Sequence, residues 1–435
     1  MNILVIGNGF DLAHGLPTKY TDFLEFIKVI KQIINVKKQN EIDWGEVHTE
    51  IKILIEKQLG NVRNNLYTQI PIWRDLLNEN DWVDYFLQCD MHGKENWIDF
   101  ESEIKEVIKS LDNAMGENGL YQEVQVLSNQ FFNDKYTNNV ATYYNVASRS
   151  EQIEVEKPRI TFKELRDILI CHLNKLIKAF EIYLTEYVEE IDYETISPDI
   201  EKIVIQRGID ISCEERNIIT KVVSFNYSNT YEKKYLSKQT GLIDDNIHYI
   251  HGKADCTNTV DTNNMILGID EYYKDDRKNE NIEFIAFKKF YQRIYKATGS
   301  KYREWIDDIV AINSDYLEKI HTYKEELKIN KGMGYNGYDS RTKLRELEKN
   351  PPRHNLYIFG HSLDVTDKDV LKDLILTDNV YTIVFYCNKD ALGQQIANLV
   401  QVIGQEELIR RTGGCKKTIE FKEQEKMKYE LKGEE

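Results

Sequence analysis

Four short motifs carry polar side chains, three of them together with glycine, and each lies at the end of a run of apolar residues. They occupy residues 7–17, 224–230, 249–252 and 359–367. Short apolar runs that end in glycine or asparagine are typical of buried parallel strands that lead into a loop. Because the carboxyl ends of parallel strands meet at one edge of a sheet, the four motifs are expected to line one ligand crevice.

The first motif, GNGFDLAHGLP, has two glycines immediately after a predicted strand. Gly7 and Gly9 would let the backbone approach a phosphate, and the start of the following helix favours negative charge. The motif departs from the dinucleotide fingerprint GxGxxG, because Leu12 stands where the third glycine belongs. A tight strand-to-helix turn accounts for the same glycines without a ligand, so both interpretations stay open.

The other motifs supply side chains that can bind hydroxyl groups or move protons. The Asn226 amide has two donors and one acceptor, which suits ribose hydroxyls or a water molecule. His251 can act as a general base near neutral pH. Ser362 and Asp364 lie in a turn and can bind sugar hydroxyls. Each residue also has a structural alternative: a capping asparagine, a buried structural histidine, or turn and cap chemistry.

These motifs require a sheet to position them. Strands are predicted at 3–6, 222–225, 247–250, 265–267, 356–359 and 381–386, and amphipathic helices from about residue 20 and at 98–111 and 162–188. Residues 112–160 and the charged tail from about residue 422 are expected to be irregular. The pattern predicts an α/β sheet interrupted by helical insertions at about 20–200 and 272–345.

Composition narrows the possible partners. The chain has 435 residues, and its 57 Lys and Arg against 73 Asp and Glu leave a net charge of −16, which argues against nucleic acid as the main partner. No apolar window is long enough for a membrane span, and the amino terminus does not resemble a signal peptide. The six cysteines are scattered without a CxxC pair, so we expect reduced thiols, no zinc or other metal, and a cytoplasmic protein.

The four motifs resemble those of sirtuins in order and content. The first motif is similar to the opening GAGxSxxxGIPxF, Asn226 stands at the asparagine of TQN, and His251 with Gly252 matches the catalytic His-Gly pair. Residues 360–363 are similar to the late GTSL turn. Asp11, Lys19 and Tyr20 replace the usual Ser, Phe and Arg, and the four-cysteine zinc module is missing, so deacetylation is not expected.

A closer resemblance is to the AbiH family of phage abortive-infection proteins. It is carried by the opening ILVIGNGFDLAHGLPTKYTDFL, by SFNYSNTYE, IHGK and GHSLD, and by the Trp-x-Asp-x-Glu segment at 97–101. The resemblance implies a role in defence against phage. The sirtuin-like motifs imply a Rossmann-type parallel sheet with large helical insertions and a pocket for NAD.

Together the resemblances imply hydrolysis of the nicotinamide–ribose bond of NAD, with Asn226 and His251 as catalytic residues. The implied NAD-binding residues are Gly7, Asn8, Gly9, Phe10, Asp11, His14, Ser224, Gly360, Ser362 and Asp364. Gly7, Asn8 and Gly9 would face the pyrophosphate, and Ser362 and Asp364 the second ribose. A phage-derived trigger and a homo-oligomer are implied by analogy with other sirtuin-like defence proteins.

The expected organisation is a discontinuous core of residues 1–20, 220–270 and 355–421, with helical insertions at 21–219 and 271–354 and a tail at 422–435. Two other functions stay open. The same pocket could sense NAD or an ADP-ribose-like nucleotide without cleaving it. A metal-dependent nuclease using Asp99 and Glu101 is less favoured, because no metal-binding spacing is recognisable.

Overall fold

The structure is a computed structural model of the whole chain, and part of the chain can be described. The described residues are 1–35, 45, 47, 49–60, 66–91, 99–116, 121–137, 140–143, 153–156, 160–204, 221–236, 246–270, 282–332, 337–415 and 417–429.

The chain divides into two compact units. The first, called here the sheet unit, comprises Met1–Leu16, Asp192–Ile250 and Thr298–Glu435. The second, the helical unit, comprises Pro17–Ile191 and His251–Ala297. This division groups five segments differently from the predicted boundaries: residues 192–219, 298–354 and 422–435 group with the sheet, and residues 17–20 and 251–270 group with the helices.

Ten strands are present in the described residues. They are β1 Asn2–Ile6, β2 Val140–Tyr143, β3 Ile153–Glu156, β4 Thr195–Ile196, β5 Lys221–Ser224, β6 Ile247–Tyr249, β7 His354–Phe359, β8 Val380–Tyr386, β9 Ile419–Glu423 and β10 Lys428–Tyr429.

Sixteen α-helices accompany them in the same described residues. They are α1 Asn8–Ala13, α2 Tyr20–Asn35, α3 Thr49–Gly60, α4 Leu66–Leu77, α5 Asp81–Met91, α6 Phe100–Met115, α7 Gln130–Tyr136, α8 Phe162–Glu186, α9 Pro198–Val204, α10 Thr230–Lys234, α11 Lys289–Tyr295, α12 Lys301–Gly332, α13 Tyr338–Lys349, α14 Lys368–Leu376, α15 Lys389–Ile403 and α16 Gln405–Thr412.

The sheet unit is built on a six-stranded sheet of order β6-β5-β1-β7-β8-β9. All five pairings in it are parallel. Numbered along the chain, this order is 3-2-1-4-5-6, which is the order of doubly wound dinucleotide-binding folds. The predicted α/β class with a Rossmann-type parallel sheet and helical insertions is confirmed.

The central strands are apolar on both faces, as expected for a sheet covered on both sides. All five residues of β1 are buried. Ile3 and Val5 pack into the core that includes α14 and α15, whereas Leu4 and Ile6 pack with Phe10 on the opposite face. The alternation follows from the two-residue period of a strand, so β1 supplies apolar contacts to both layers.

The helical unit has an aromatic core. Its longest helix, α8, begins at a capping box in which the Thr161 side chain and Glu164 satisfy each other's backbone N–H groups. From α8, Phe180 and Tyr183 pack against Phe23 of α2, with ring centroids 4.8 and 5.5 Å apart. The predicted helix at 162–188 is therefore confirmed and forms part of the core.

Three local predictions are wrong. Residues 265–267 lie in an irregular segment. Residues 112–160 contain the end of α6, helix α7 and the β2–β3 pair, rather than loop alone. The tail contains β10, which pairs antiparallel with β4. The charges of the tail find partners: Lys422 lies 2.7 Å from the buried Asp199 carboxylate, so a polar segment is held in place by ion pairing.

Within the described residues, no helix is both long and apolar enough to cross a membrane.

Candidate functional site

Four strands of the sheet unit end level with one another. Ile6 pairs with Ser224 on one side and with Phe359 on the other, and Ser224 pairs with Tyr249. The loops after β1, β5 and β7 therefore leave the same edge of the sheet. This register brings the first motif, Asn226 and the 359–367 motif to one edge.

The glycines after β1 are explained by close contact with the loop after β7. The Gly7 N–H donates to the Phe359 carbonyl at 3.2 Å, and the Gly9 N–H donates to the Gly360 carbonyl at 2.8 Å. A Cβ on Gly9 would lie 2.8 Å from the Gly360 carbonyl oxygen, and one on Gly360, whose φ is +67°, would lie 2.1 Å from the Phe10 nitrogen. The Gly7 and Gly9 N–H groups are therefore hydrogen-bonded within the protein. Binding of a pyrophosphate by Gly7, Asn8 and Gly9 stays a prediction.

Asn226 is held by its backbone, while its side chain has unmet hydrogen-bonding capacity. The Ser224 hydroxyl donates to the Asn226 carbonyl at 3.1 Å and accepts from the Asn226 N–H at 3.2 Å. The side chain is 5% exposed, and neither its amide nitrogen nor its amide oxygen has a hydrogen-bond partner among the described residues. Such burial without partners costs about 1–3 kcal/mol for a neutral polar group.

A buried hydroxyl chain lies beside this loop. The Ser228 hydroxyl donates to the Asp11 carboxylate at 2.5 Å, and the Thr230 hydroxyl donates to Ser228 at 3.1 Å. Asp11 and Ser228 are both buried. The contact links helix α1 to the β5 loop, so one function of Asp11 is to hold the two loops of the edge together.

Phe10 and His14 anchor the first motif in the protein interior. The His14 ring contacts the Phe10 carbonyl through Nδ1 at 2.7 Å and the Tyr235 hydroxyl through Nε2 at 3.0 Å. Because a carbonyl only accepts, we assign the proton to Nδ1. Burial lowers the pKa of His14 to about 4, so the ring is neutral at physiological pH. The Phe10 ring is fully buried in the core. The predicted contacts of these two residues with NAD remain untested.

The 359–367 motif forms a turn in which the histidine is central. His361 is 5% exposed, and its Nδ1 accepts from the Leu363 N–H at 2.8 Å. Its ring lies edge-on to Phe225, with centroids 4.3 Å apart. Ser362 is exposed, and Asp364 accepts from the Thr366 N–H at 2.9 Å to cap a short 3₁₀ turn. Phe225 and His361 thus meet across the end of β1.

Three residues that shape this turn, His361, Gln395 and Asn398, were not among the predicted site residues. His361 lies within the 359–367 motif, so the sequence could have indicated it. Gln395 and Asn398 of α15 donate to the carbonyls of His361 and Ser362 at 3.1 and 2.9 Å. Nothing in the local sequence of α15 indicates these contacts, because the partners are more than 30 residues away in the chain.

His251 follows β6 by two residues and begins the second segment of the helical unit. Its side chain is 5% exposed, and its carbonyl accepts from the Ile266 N–H at 2.8 Å. The loop after it is anchored by Glu181 of α8. That fully buried carboxylate accepts from the Asp255 N–H at 3.1 Å and pairs with Lys178 at 2.9 Å.

The acidic residues considered for a nuclease have structural partners. The Asp99 carboxylate accepts from the Glu101 N–H at 3.1 Å and caps α6. Glu101 pairs with the buried Lys289 at 2.8 Å. Trp97 and Ile98 lie outside the described residues. Across the described ranges, no three His, Cys, Asp or Glu side chains are grouped so as to hold a metal ion.

The sheet order and the polar residues at its carboxyl edge define a Rossmann-like α/β protein with helical insertions and a candidate ligand site at that edge. Residues 3–387 match the family model described as bacteriophage abortive infection AbiH. The chain therefore belongs to the AbiH family, as its motifs indicated. No curated protein and no solved structure matches it. The sirtuin-like relationship stays a prediction.

Proposed function

We propose that the protein acts in abortive infection by binding NAD at the carboxyl edge of the sheet and hydrolysing its nicotinamide–ribose bond. Membership of the abortive-infection family supports the cellular role. Depletion of NAD would stop the metabolism of an infected cell before phage is released.

The observation that carries the proposal is the Asn226 side chain. It is 5% exposed at the carboxyl end of β5, and its amide nitrogen and oxygen both lack partners among the described residues. Buried polar groups are nearly always hydrogen-bonded, so an unpartnered amide at the ligand edge of a doubly wound sheet is best explained by a ligand that supplies both a donor and an acceptor. A ribose hydroxyl can supply both.

The geometry of the edge favours an extended ligand. Asn226 follows β5 and Ser362 follows β7, with β1 between them. Neighbouring strands are roughly 4.8 Å apart, so a ligand that reaches both loops must span about 10 Å. A dinucleotide meets that requirement and a single sugar does not. The strand order reverses beside β1, which is where dinucleotides bind in folds with this order.

The proposed reaction consumes one water molecule. The water oxygen forms a bond to the anomeric carbon of the ribose as the carbon–nitrogen bond breaks, and the bonding electrons pass to the nicotinamide ring nitrogen. His251 accepts the proton released by the water, and Asn226 holds the water and the reacting ribose. The transition state resembles an oxocarbenium ion, so orientation of the ribose contributes more than a strong nucleophile would.

The test is to incubate the purified protein with NAD, with and without phage lysate, and to quantify nicotinamide. We expect release from the wild type, and a fall of roughly 10²–10⁴-fold in His251→Ala. Asn226→Ala should lose release and cell toxicity while remaining folded. His321→Ala is a matched control, because His321 is a histidine on the exposed part of α12. Unchanged release in both site variants would refute the assigned roles.

A second candidate function is sensing of the nucleotide without hydrolysis. The hydrogen bonds of the other motif histidines favour it, because a ring nitrogen that already bonds to the protein is poorly placed to act as a base. The ring nitrogens of His14 already have protein partners. His361 uses Nδ1 to hold Leu363. Hydrolysis therefore depends on the assignment of His251 as the base, whereas binding of the nucleotide does not. NAD binding measured by calorimetry without nicotinamide release, under every trigger tried, would establish the sensor instead.

A further inference from the structure

The turn at residues 360–364 contains a leucine in a conformation that leucine rarely adopts. Leu363 has φ +62° and is fully buried. Left-handed backbone is uncommon for residues other than glycine and persists only where the surroundings enforce it. An enforced, uncommon conformation at the ligand edge of the sheet indicates that the shape of this turn matters.

His361 enforces the conformation. The Leu363 N–H donates to His361 Nδ1 at 2.8 Å, so Nδ1 carries no proton and Nε2 does. Nε2 lies 3.6 Å from the Asp367 carboxylate. The ring is also in edge contact with Phe225. Because both nitrogens face protein groups, His361 is placed to hold the turn rather than to exchange protons with a substrate.

Helix α15 fixes the same turn from the other side. Gln395 Nε2 donates to the carbonyls of His361 and Phe385, both at 3.1 Å. Asn398 Nδ2 donates to the Ser362 carbonyl at 2.9 Å. These contacts fix the backbone on both sides of Ser362. From Gly360 to Asp364, Ser362 alone has an exposed side chain.

We propose that His361 is a positioning residue whose function is to present the Ser362 hydroxyl to a sugar hydroxyl of the bound nucleotide. This proposal rests on the nucleotide site proposed above. His361 acts through the backbone of Leu363, with Gln395 and Asn398 holding the carbonyls on either side. Loss of the Nδ1 acceptor would let the turn relax and move Ser362.

Two substitutions separate the roles of the ring nitrogens. In His361→Asn the amide oxygen occupies the place of Nδ1 and can accept from the Leu363 N–H, as asparagine does in a turn. In His361→Gln the longer side chain places its amide near Nε2 and loses the Nδ1 acceptor. The third variant is Ser362→Ala. Affinity for NAD is measured by calorimetry, and amide exchange of the peptide containing Leu363 is measured by mass spectrometry.

We expect His361→Asn to stay within about threefold of the wild-type affinity and His361→Gln to lose about tenfold, with Ser362→Ala similar to the latter. The double variant His361→Gln/Ser362→Ala should bind NAD no more weakly than either single variant, because both substitutions remove the same interaction of the Ser362 hydroxyl with the ligand. Fully additive losses, or equal losses in His361→Asn and His361→Gln, would overturn the proposal. A general loss of folding would lower the thermal midpoint in both variants and leave no such coupling.

Failure of the nucleotide site itself is recognised separately. If the wild type binds no NAD, the function proposed above and the presentation of Ser362 to a nucleotide are both refuted. The exchange of the Leu363 amide then still decides whether His361 holds the turn: it should be faster in His361→Gln than in His361→Asn. Equal exchange in the two variants would refute that part as well.

Discussion

Replacement of Asn226 by leucine should raise the stability of the ligand-free protein while abolishing ligand binding. The two side chains have the same number of non-hydrogen atoms, and both branch at Cγ. In the wild type, the amide is 5% exposed and has no hydrogen-bond partner among the described residues. Removing a buried, unsatisfied amide recovers about 1–3 kcal/mol, and the added apolar surface acts in the same direction. Most substitutions of buried residues destabilise, so an increase would be diagnostic of a ligand-binding group.

The magnitude can be converted into a thermal shift. For a unit of roughly 200 residues, 1 kcal/mol corresponds to about 2–4 °C, so the midpoint should rise by about 2–12 °C. The assay is differential scanning calorimetry without ligand, followed by the nicotinamide assay on the same variant. The variant should release no nicotinamide.

Asn398→Leu is the matched control. Asn398 is equally buried at 5% exposed, but its amide donates to Ser362 and accepts from Gln394, both at 2.9 Å. Its replacement removes satisfied hydrogen bonds and should lower the midpoint. If Asn226→Leu lowers the midpoint as Asn398→Leu does, the Asn226 amide has a structural partner and the reasoning for the ligand site is wrong.

Three further predictions concern the framework of the site. Gly360→Ala should destabilise the protein more than Gly15→Ala in urea unfolding, because both glycines have positive φ but only the Gly360 substitution meets neighbouring backbone, at 2.1 Å. Stability should fall as the pH drops from 6.5 towards 4, because burial lowers the pKa of His14 from 6.5 to about 4 and the unfolded chain binds the proton first. The contribution of His14 is roughly 3 kcal/mol. Unfolding curves of His14→Gln should lose this contribution and keep that of His354, whose pKa burial also lowers to about 4. A pH dependence identical in that variant would contradict the assignment. Glu181→Gln should lower the free energy of unfolding by roughly 3–5 kcal/mol, because it leaves the buried Lys178 charge uncompensated. Adding Lys178→Met should recover part of that loss. A double variant less stable than Glu181→Gln would argue against this account.

The fold class could be predicted because its signals are local. Apolar runs at 3–6, 222–225, 356–359 and 381–386 all became strands of the parallel sheet. Strand β9 was not predicted, since its sequence IEFKE is mostly polar and its burial is confined to Ile419. Edge strands carry little apolar pattern, and their existence depends on the neighbour with which they pair.

The sequence also identified which residues follow the strands, and therefore which motifs share an edge. The strand register then aligned Ile6, Ser224, Tyr249 and Phe359, as parallel pairing requires. The glycines of the first motif had two explanations from the sequence. One was close approach to a phosphate, and the other was a tight strand-to-helix turn without a ligand. The structure supplies a physical cause for the tight turn, because the backbone at Gly360 packs directly on Gly9.

The sequence by itself determined five of the six strands of the sheet, its polar carboxyl edge and the family, because periodicity and motif spacing are properties of short segments. Only the tertiary structure decided which side chains at that edge are already satisfied. The His14 side chain bonds to Tyr235, which is 221 residues away, and the backbone carbonyl of His361 accepts from Gln395 of α15. The Asn226 amide has no partner among the described residues. Hydrogen-bond satisfaction depends on groups that are distant in the chain and meet only after folding. The amide chemistry of Asn226 could therefore be recognised in the sequence, whereas its burial without partners could be seen only in the structure.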